Sequence, residues 1–305
     1  MTAPSGWVDP NPQNLPDPGA NRALAFAGVV LVGVVIASLI GVVLLKSGAT
    51  TDDTDRPLLA LSAINAPGTD GFMESQVVAP TQISEAAAGQ IATFSAQLPV
   101  NAHRGVRVVP GTLPGLYGVA GQGPSCDVPG VANQLDADHA KEAVWSGALG
   151  LTARQVPSYL NSLTPVDLTA DTWVTAYSYV KGGHVGLQQV LQAGTSVLVD
   201  TAGVPRLHCA SGDPLGPPAD LDIAAMRTDG KRWPGFDPRN VVVIAYGGAS
   251  SVPATVAEFV LLDLSSGQQV KRKPGGGIDL ARAGDDQVQL PDPAAMNVAP
   301  KLAGK

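Results

Sequence analysis

Charge is scarce in this chain: Asp, Glu, Lys and Arg make up 15% of its 305 residues, against 35 glycines and 26 prolines. That composition belongs to a loop-rich protein with one modest domain and tails, not to two large domains. Basic clusters are scarcer still. The one run, Lys271, Arg272 and Lys273, reads as a solvated strand end, and a net charge of −7 excludes a nucleic-acid partner, because duplex binding relies on clustered Lys and Arg. Residues 47–305 hold 17 Lys plus Arg and 24 Asp plus Glu, so no anionic ligand is suggested either. Histidines number four and cysteines two, with no Cys-x-x-Cys or His-x-x-x-His pair, no Gly-x-Ser-x-Gly and no His-Glu-x-x-His. No metal, cofactor or catalytic residue is expected.

One stretch lacks charge altogether. Residues 23–45, ALAFAGVVLVGVVIASLIGVVLL, are bracketed by Arg22 and Lys46. At about 1.5 Å per residue such a helix exceeds the roughly 30 Å hydrocarbon thickness. It is too long for the apolar core of a secretory signal, and LLKSGAT offers no small-x-small cleavage site. The expectation is a single uncleaved transmembrane helix in the lipid bilayer. Its basic flanks are nearly balanced, so orientation rests on the acidic TDDTD after the span, the short tail before it and the cysteines. These place the N-terminus in the cytoplasm and residues 47–305 outside. Gly33, Ala37 and Gly41 recur every four residues on one helix face, where small side chains let two backbones approach, so a partner helix or a homo-oligomer is expected there.

The expected organisation is a Pro-rich cytoplasmic tail over 1–22, the span over 23–45, a polar linker over 46–56, and a poorly defined stalk or docking segment over 57–104. An extracytoplasmic α+β domain follows over 105–270, then a flexible tail over 271–305. Asp136 is positioned to cap a helix running to about Leu149, and Thr152 with Gln155 forms a capping-box pattern before VPSYLNSL, where Pro157 starts or splits a helix. In TWVTAYSYV the period is two, with Val174, Ala176 and Val180 on one face and Trp173, Tyr177 and Tyr179 on the other. TSVLVD and VPRLHC flank a TAG turn as a hairpin, and NVVVIAY and VAEFVLLDL read as strands. Short helices followed by an antiparallel sheet are expected. YGVAGQG, residues 117–123, reads as a plain turn.

PGLYG (114–118), SCDV (125–128), VPSYLNSLTPV (156–166), VLQAGTSVLVDTAGVPRLHCASGDPL (190–215) and WPGFDPRNVVVI (233–244) together resemble the actinobacterial domain of unknown function 6777 family, over roughly residues 105–250. The resemblance implies a membrane-anchored protein with a variable stalk, some relatives being joined to protein kinases, and it brings no activity. It implies that Cys126 and Cys209 stand at family cysteine positions. Relatives tend to read Cys-Ala-Cys where this chain has Cys209, Ala210 and Ser211, and Arg where it has Trp173.

For the two cysteines a disulfide is the first reading, because an even pair outside the cell leaves no thiol unpaired. Zinc would have to draw on Cys126, Cys209, His103, His139, His184 and His208, whose spacing fits no site, and His208 reads as an exposed strand residue. The ring stripe of Trp173, Tyr177 and Tyr179 is either a stacking surface or the core side of a strand. The expected function is a non-catalytic binding module meeting a membrane-protein or cell-wall partner. The alternatives are an envelope hydrolase with an unrecognised site, or an accessory subunit of a membrane complex.

Overall fold

The computed structural model describes residues 56–68, 70–78, 82–121, 123–245, 255–278 and 288–302. The expected span, its small residues Gly33, Ala37 and Gly41, and the tail before it lie outside these. Among the described residues no helix is long and apolar enough to cross a membrane.

Among the described residues fourteen strands form two sheets. Sheet one takes β1 (Leu58–Ser62), β2 (Val100–Asn101), β3 (Val106–Pro110), β6 (Thr172–Val180), β7 (Gly183–Leu191), β10 (Leu215–Gly216), β11 (Arg227–Asp229) and β12 (Val242–Ala245). Sheet two takes β4 (Tyr117–Val119), β5 (Thr164–Leu168), β8 (Ser196–Val199), β9 (Pro205–His208), β13 (Phe259–Asp263) and β14 (Gln269–Arg272). The order is β11-β1-β7-β6-β12-β3-β2 in the first, with β10 beside β6, and β14-β13-β4-β5-β8-β9 in the second. Both sheets are mixed, which corrects the antiparallel expectation. Local hairpins such as β6–β7 and β8–β9 are antiparallel, but β1 lies parallel between β7 and β11, β12 parallel to β3 and β6, and β13 parallel to β4. The parallel neighbours are far apart in sequence, and no alternation pattern reports them.

Alternation decides the layers. Val174 and Ala176 of β6 turn towards sheet two and join Val166, Leu168, Val197 and Phe259 in the inter-sheet core, while Trp173 turns outward to Leu59, Val190 and Ile223. A third apolar cluster lies where helices α2 (Val128–Asp136), α3 (His139–Ala148) and α4 (Val156–Ser162) meet Leu198 of β8 and Leu207 of β9. Asp127 caps α2 and Asp138 caps α3, each accepting a first-turn backbone N–H. The cap expected at Asp136 is therefore corrected: Asp136 closes α2, and the next carboxylate opens α3. A 3₁₀ turn at Ala153–Gln155 leads into α4, with Pro157 in its first turn and Gln155 Oε1 accepting from Thr152 N.

The flanking segments are built in. β1 fills an interior slot of sheet one, and helix α1 (Glu85–Gln97), capped by Ser84, rests on the domain through Ala87, Ile91 and Phe94. Of the segment expected as a tail, β14 completes sheet two, Gly276 N and Ile278 N donate to Asn161, and Leu290 and Met296 pack on the helical cluster. YGV, expected as a turn, is strand β4.

Candidate functional site

The stretch RLHCASGDPL ends β9 and folds straight into a tight loop. His208 O accepts from Gly212 N at 2.8 Å, and His208 N donates to Asp213 O at 3.0 Å. Gly212 holds φ +67°, and a Cβ there would lie 2.2 Å from Met73 Cγ, so only glycine closes the loop beneath its neighbour. Cys209 bonds Cys126, the residue before the α2 cap, with the Cα atoms 5.8 Å apart and both side chains fully buried.

A strap from the 57–104 segment seals this junction. Met73 N donates to Ser211 O, Gln76 N to Cys209 O and Val78 N to Ser125 O, and Asp127 N donates back to Gln76 O. The strap thereby joins the backbones of both cysteine loops.

Inside, the loop gathers three polar side chains. Ser211 Oγ stands 3.1 Å from His208 Nδ1 and accepts from Asp213 N at 3.4 Å, and Asp213 Oδ1 accepts from Phe72 N at 3.3 Å. Burial pushes the Asp213 carboxyl up to about 7, against hydrogen bonds from Ser211 and Phe72 N, with Asp70 adding to the rise. Burial pushes His208 down to about 4. The expectation that His208 is exposed is corrected: its relative exposure is 1%, and Ser211 has 0%.

Imidazole, hydroxyl and carboxyl are the elements of a serine nucleophile, but here they are wired differently. In a working triad the carboxylate orients one imidazole nitrogen and the other draws the proton from serine. In this loop serine is the hub, touching both histidine and aspartate, and His208 Nε2 is buried without a partner among the described residues. Trp145 Nε1 donates to Gly212 O at 2.9 Å and closes the remaining side. As folded, the group is a polar knot under a lid of Phe72, Trp145 and the disulfide.

A second internal charge centre lies on the same hairpin. Asp200 and Arg206 flank the TAG turn, with Arg206 Nε 2.7 Å from Asp200 Oδ2 and both side chains buried. Asp200 Oδ1 accepts from Ala202 N and Val204 N, and the rest of the guanidinium donates to Met296 O and Pro293 O of the C-terminal segment. An acid and a base at the two ends of one hairpin were the available sequence signal for this pair.

The open polar surfaces lie elsewhere. Two clefts of ≈ 390 and ≈ 570 Å³ run along opposite sides of α1. The larger is walled by small side chains and by Arg107, Asp171 and Asn240. Arg107 donates to Leu98 O at the end of α1 and, at 3.2 Å, to Asn240 Oδ1. Asp171 accepts from Ala193 N and Trp233 Nε1, and burial raises its carboxyl above the usual range.

The other sequence candidates scatter. His103 sits near Asp220, His139 near Glu142, and His184 edges onto Tyr177 at 5.5 Å. Among the described residues no three His, Cys, Asp or Glu side chains gather around a metal position. The ring stripe divides: Trp173 is buried and donates to Gln188 Oε1, while Tyr179 packs on Phe72 and beneath Lys141.

No curated protein and no solved structure matches the chain. The pattern of a family described as a domain of unknown function, DUF6777, matches residues 107–275, which takes in both sheets' central strands, the helical cluster and both cysteines. With more than half of its length matched, the chain belongs to the DUF6777 family.

Proposed function

We propose that the chain is a single-pass membrane-anchored protein whose domain stands outside the cytoplasm and acts as a non-catalytic binding module of the cell envelope. The observation that carries this reading is the division of its polar groups. Imidazole, hydroxyl and carboxyl chemistry is turned inward at His208, Ser211 and Asp213, whereas the larger open cleft presents the Arg107 guanidinium, the Asp171 carboxyl and the Asn240 amide, with Ser95 on its wall and no histidine or cysteine in its lining. The bridged cysteine pair supports an oxidising compartment.

Two measurements test it in intact cells. A membrane-impermeant maleimide should label Cys126 and Cys209 only after reduction from outside; labelling in unreduced cells would defeat the extracytoplasmic placement. Photo-crosslinking from Ser95, on the wall of the larger cleft, should capture an envelope component, and capture should fall when Arg107→Gln and Asp171→Asn are combined.

The Ser211–His208 contact favours a second reading, an envelope hydrolase whose loop opens. A fluorophosphonate probe decides between the two: modification of Ser211 establishes the hydrolase, and its absence in the folded protein sinks it.

A further inference from the structure

Two unlike charges share the larger cleft without pairing. Arg107 stands on β3 and Asp171 just before β6, and both line the ≈ 570 Å³ space beside α1. β12 runs between them: Val242 lies beside Arg107 on one flank and beside Thr172 on the other, and Asp171 O accepts from Val242 N at 2.8 Å. Two strand spacings put the roots of the two side chains about 10 Å apart. Among the described residues neither side chain takes part in an ion pair.

Each charge is held in place by neutral groups. Arg107 donates from Nη1 to Leu98 O and from Nη2 to Asn240 Oδ1, which leaves one N–H on each terminal nitrogen without an acceptor among the described residues. The Asp237 carboxylate, which lies within the field of Arg107, is already bridged by Arg239 at 2.7 Å. On the other wall Asp171 Oδ1 accepts from Ala193 N at 2.9 Å and Oδ2 from Trp233 Nε1 at 3.0 Å, one donor for each oxygen. A carboxylate oxygen has room for a second donor. Burial raises this carboxyl, and a cation beside it would act the other way.

Between the two poles the lining is small and neutral. Ala92, Ala96, Ala170 and Ala193 offer no side-chain atom beyond a methyl group, and the Ser95 hydroxyl and Asn240 Nδ2 have no protein partner among the described residues. Clefts of this volume are of the size that holds a small ligand.

We propose that this cleft binds a short peptide by its two free ends, the carboxylate on Arg107 and the ammonium on Asp171, with a peptide bond between Ser95 and Asn240. Both ends then gain charge-assisted hydrogen bonds from groups already fixed in position. A simple anion or a simple cation would satisfy one wall and leave the other charge without a partner, which selects against it. A single amino acid carries both charges but has no amide for Ser95 and Asn240. The alanine walls favour small side chains on the peptide. The proposal names the partner of the cleft assigned above, and it rests on that reading for the cell envelope as the source of the peptide.

The test titrates the full chain, carried in lipid nanodiscs at neutral pH, with Ala-Ala, its N-acetyl form, its C-terminal amide and free alanine, followed by calorimetry. Ala-Ala should bind about tenfold or more tightly than any of the other probes, since each of them lacks one matched group. Equal affinities across the series, or heat from none of the probes, would overturn the proposal, and that ranking needs no variant. Arg107→Gln should abolish the penalty for amidation and keep the penalty for acetylation, and Asp171→Asn should do the reverse. A folded variant that keeps the full ranking would overturn the role given to its wall. The Ser95 cross-link in intact cells keeps the two claims apart. An envelope adduct without dipeptide binding defeats the peptide alone, and dipeptide binding without an adduct defeats the envelope reading alone.

Discussion

The loop around Cys209 and the outer half of β7 treat the same problem, unpaired polar groups, in opposite ways. Around Cys209 the hydroxyl, imidazole, carboxyl and backbone groups are turned inward and roofed by Phe72, Trp145 and the strap. Along β7 the N–H and C=O of His184 and Gly186 are left facing out between exposed apolar side chains. Buried polar groups that bond one another favour a single structure, whereas unpaired groups at an exposed edge are left to water. The difference teaches that this domain closes the His208, Ser211 and Asp213 side chains inside the fold while leaving backbone groups of His184 and Gly186 at a sheet edge.

The contrast breaks most readily at the disulfide. Cys126→Ser with Cys209→Ser opens a closed loop with a sequence separation of 83, which the chain-entropy account values at about 4–5 kcal/mol. A fall in Tm of roughly 10–20 °C is expected in thermal melts. Arg206→Leu comes next: it strands the buried Asp200 carboxylate, at about 3–5 kcal/mol by urea unfolding, and frees the carbonyls of Pro293 and Met296 for proteolysis of the C-terminal segment.

Within the knot, pH sharpens the picture. Asp213, held up to about 7, keeps a proton in the fold that the unfolded chain releases from about pH 4, so its contribution to stability falls as pH rises from about 4 to about 7. His208, pushed down to about 4, stays neutral in the fold while the unfolded imidazole protonates, so its contribution falls as pH drops from about 6.5 to about 4. The two slopes oppose each other. Asp213→Asn should therefore gain stability with rising pH over about 4 to 6.5, His208→Gln should lose it over about 4 to 7, and the unaltered chain should stay flatter than both. Urea midpoints across that range check the signs. At the other pole, Leu187→Ser should change stability by no more than about 1 kcal/mol, because that side chain is 44% exposed.

What the sequence made legible was local. β6, the β8–β9 hairpin, β12 and β13 follow alternation that a short window displays, and the cysteine pair follows from an even count. The parallel contacts were hidden because Leu58↔Arg227 and Ala60↔Gln189 join residues whose spacing carries no period. His208 looked exposed because strand parity alone does not show that the strap, Trp145 and the Gly212 turn close over the end of β9. The knot stayed out of sight for a related reason: it exists only once Gly212 turns the chain and returns Ser211 beneath His208.

β1 receives neighbours on both flanks, with Pro57 O accepting from Arg227 N at its entrance. A pull applied at Pro57 thus enters along the axis of an interior strand and loads its cross-links in shear, all together, instead of unzipping them one by one. A domain tethered through that residue would yield slowly under tension, its mechanical lifetime set by the unfolding rate of the sheet itself.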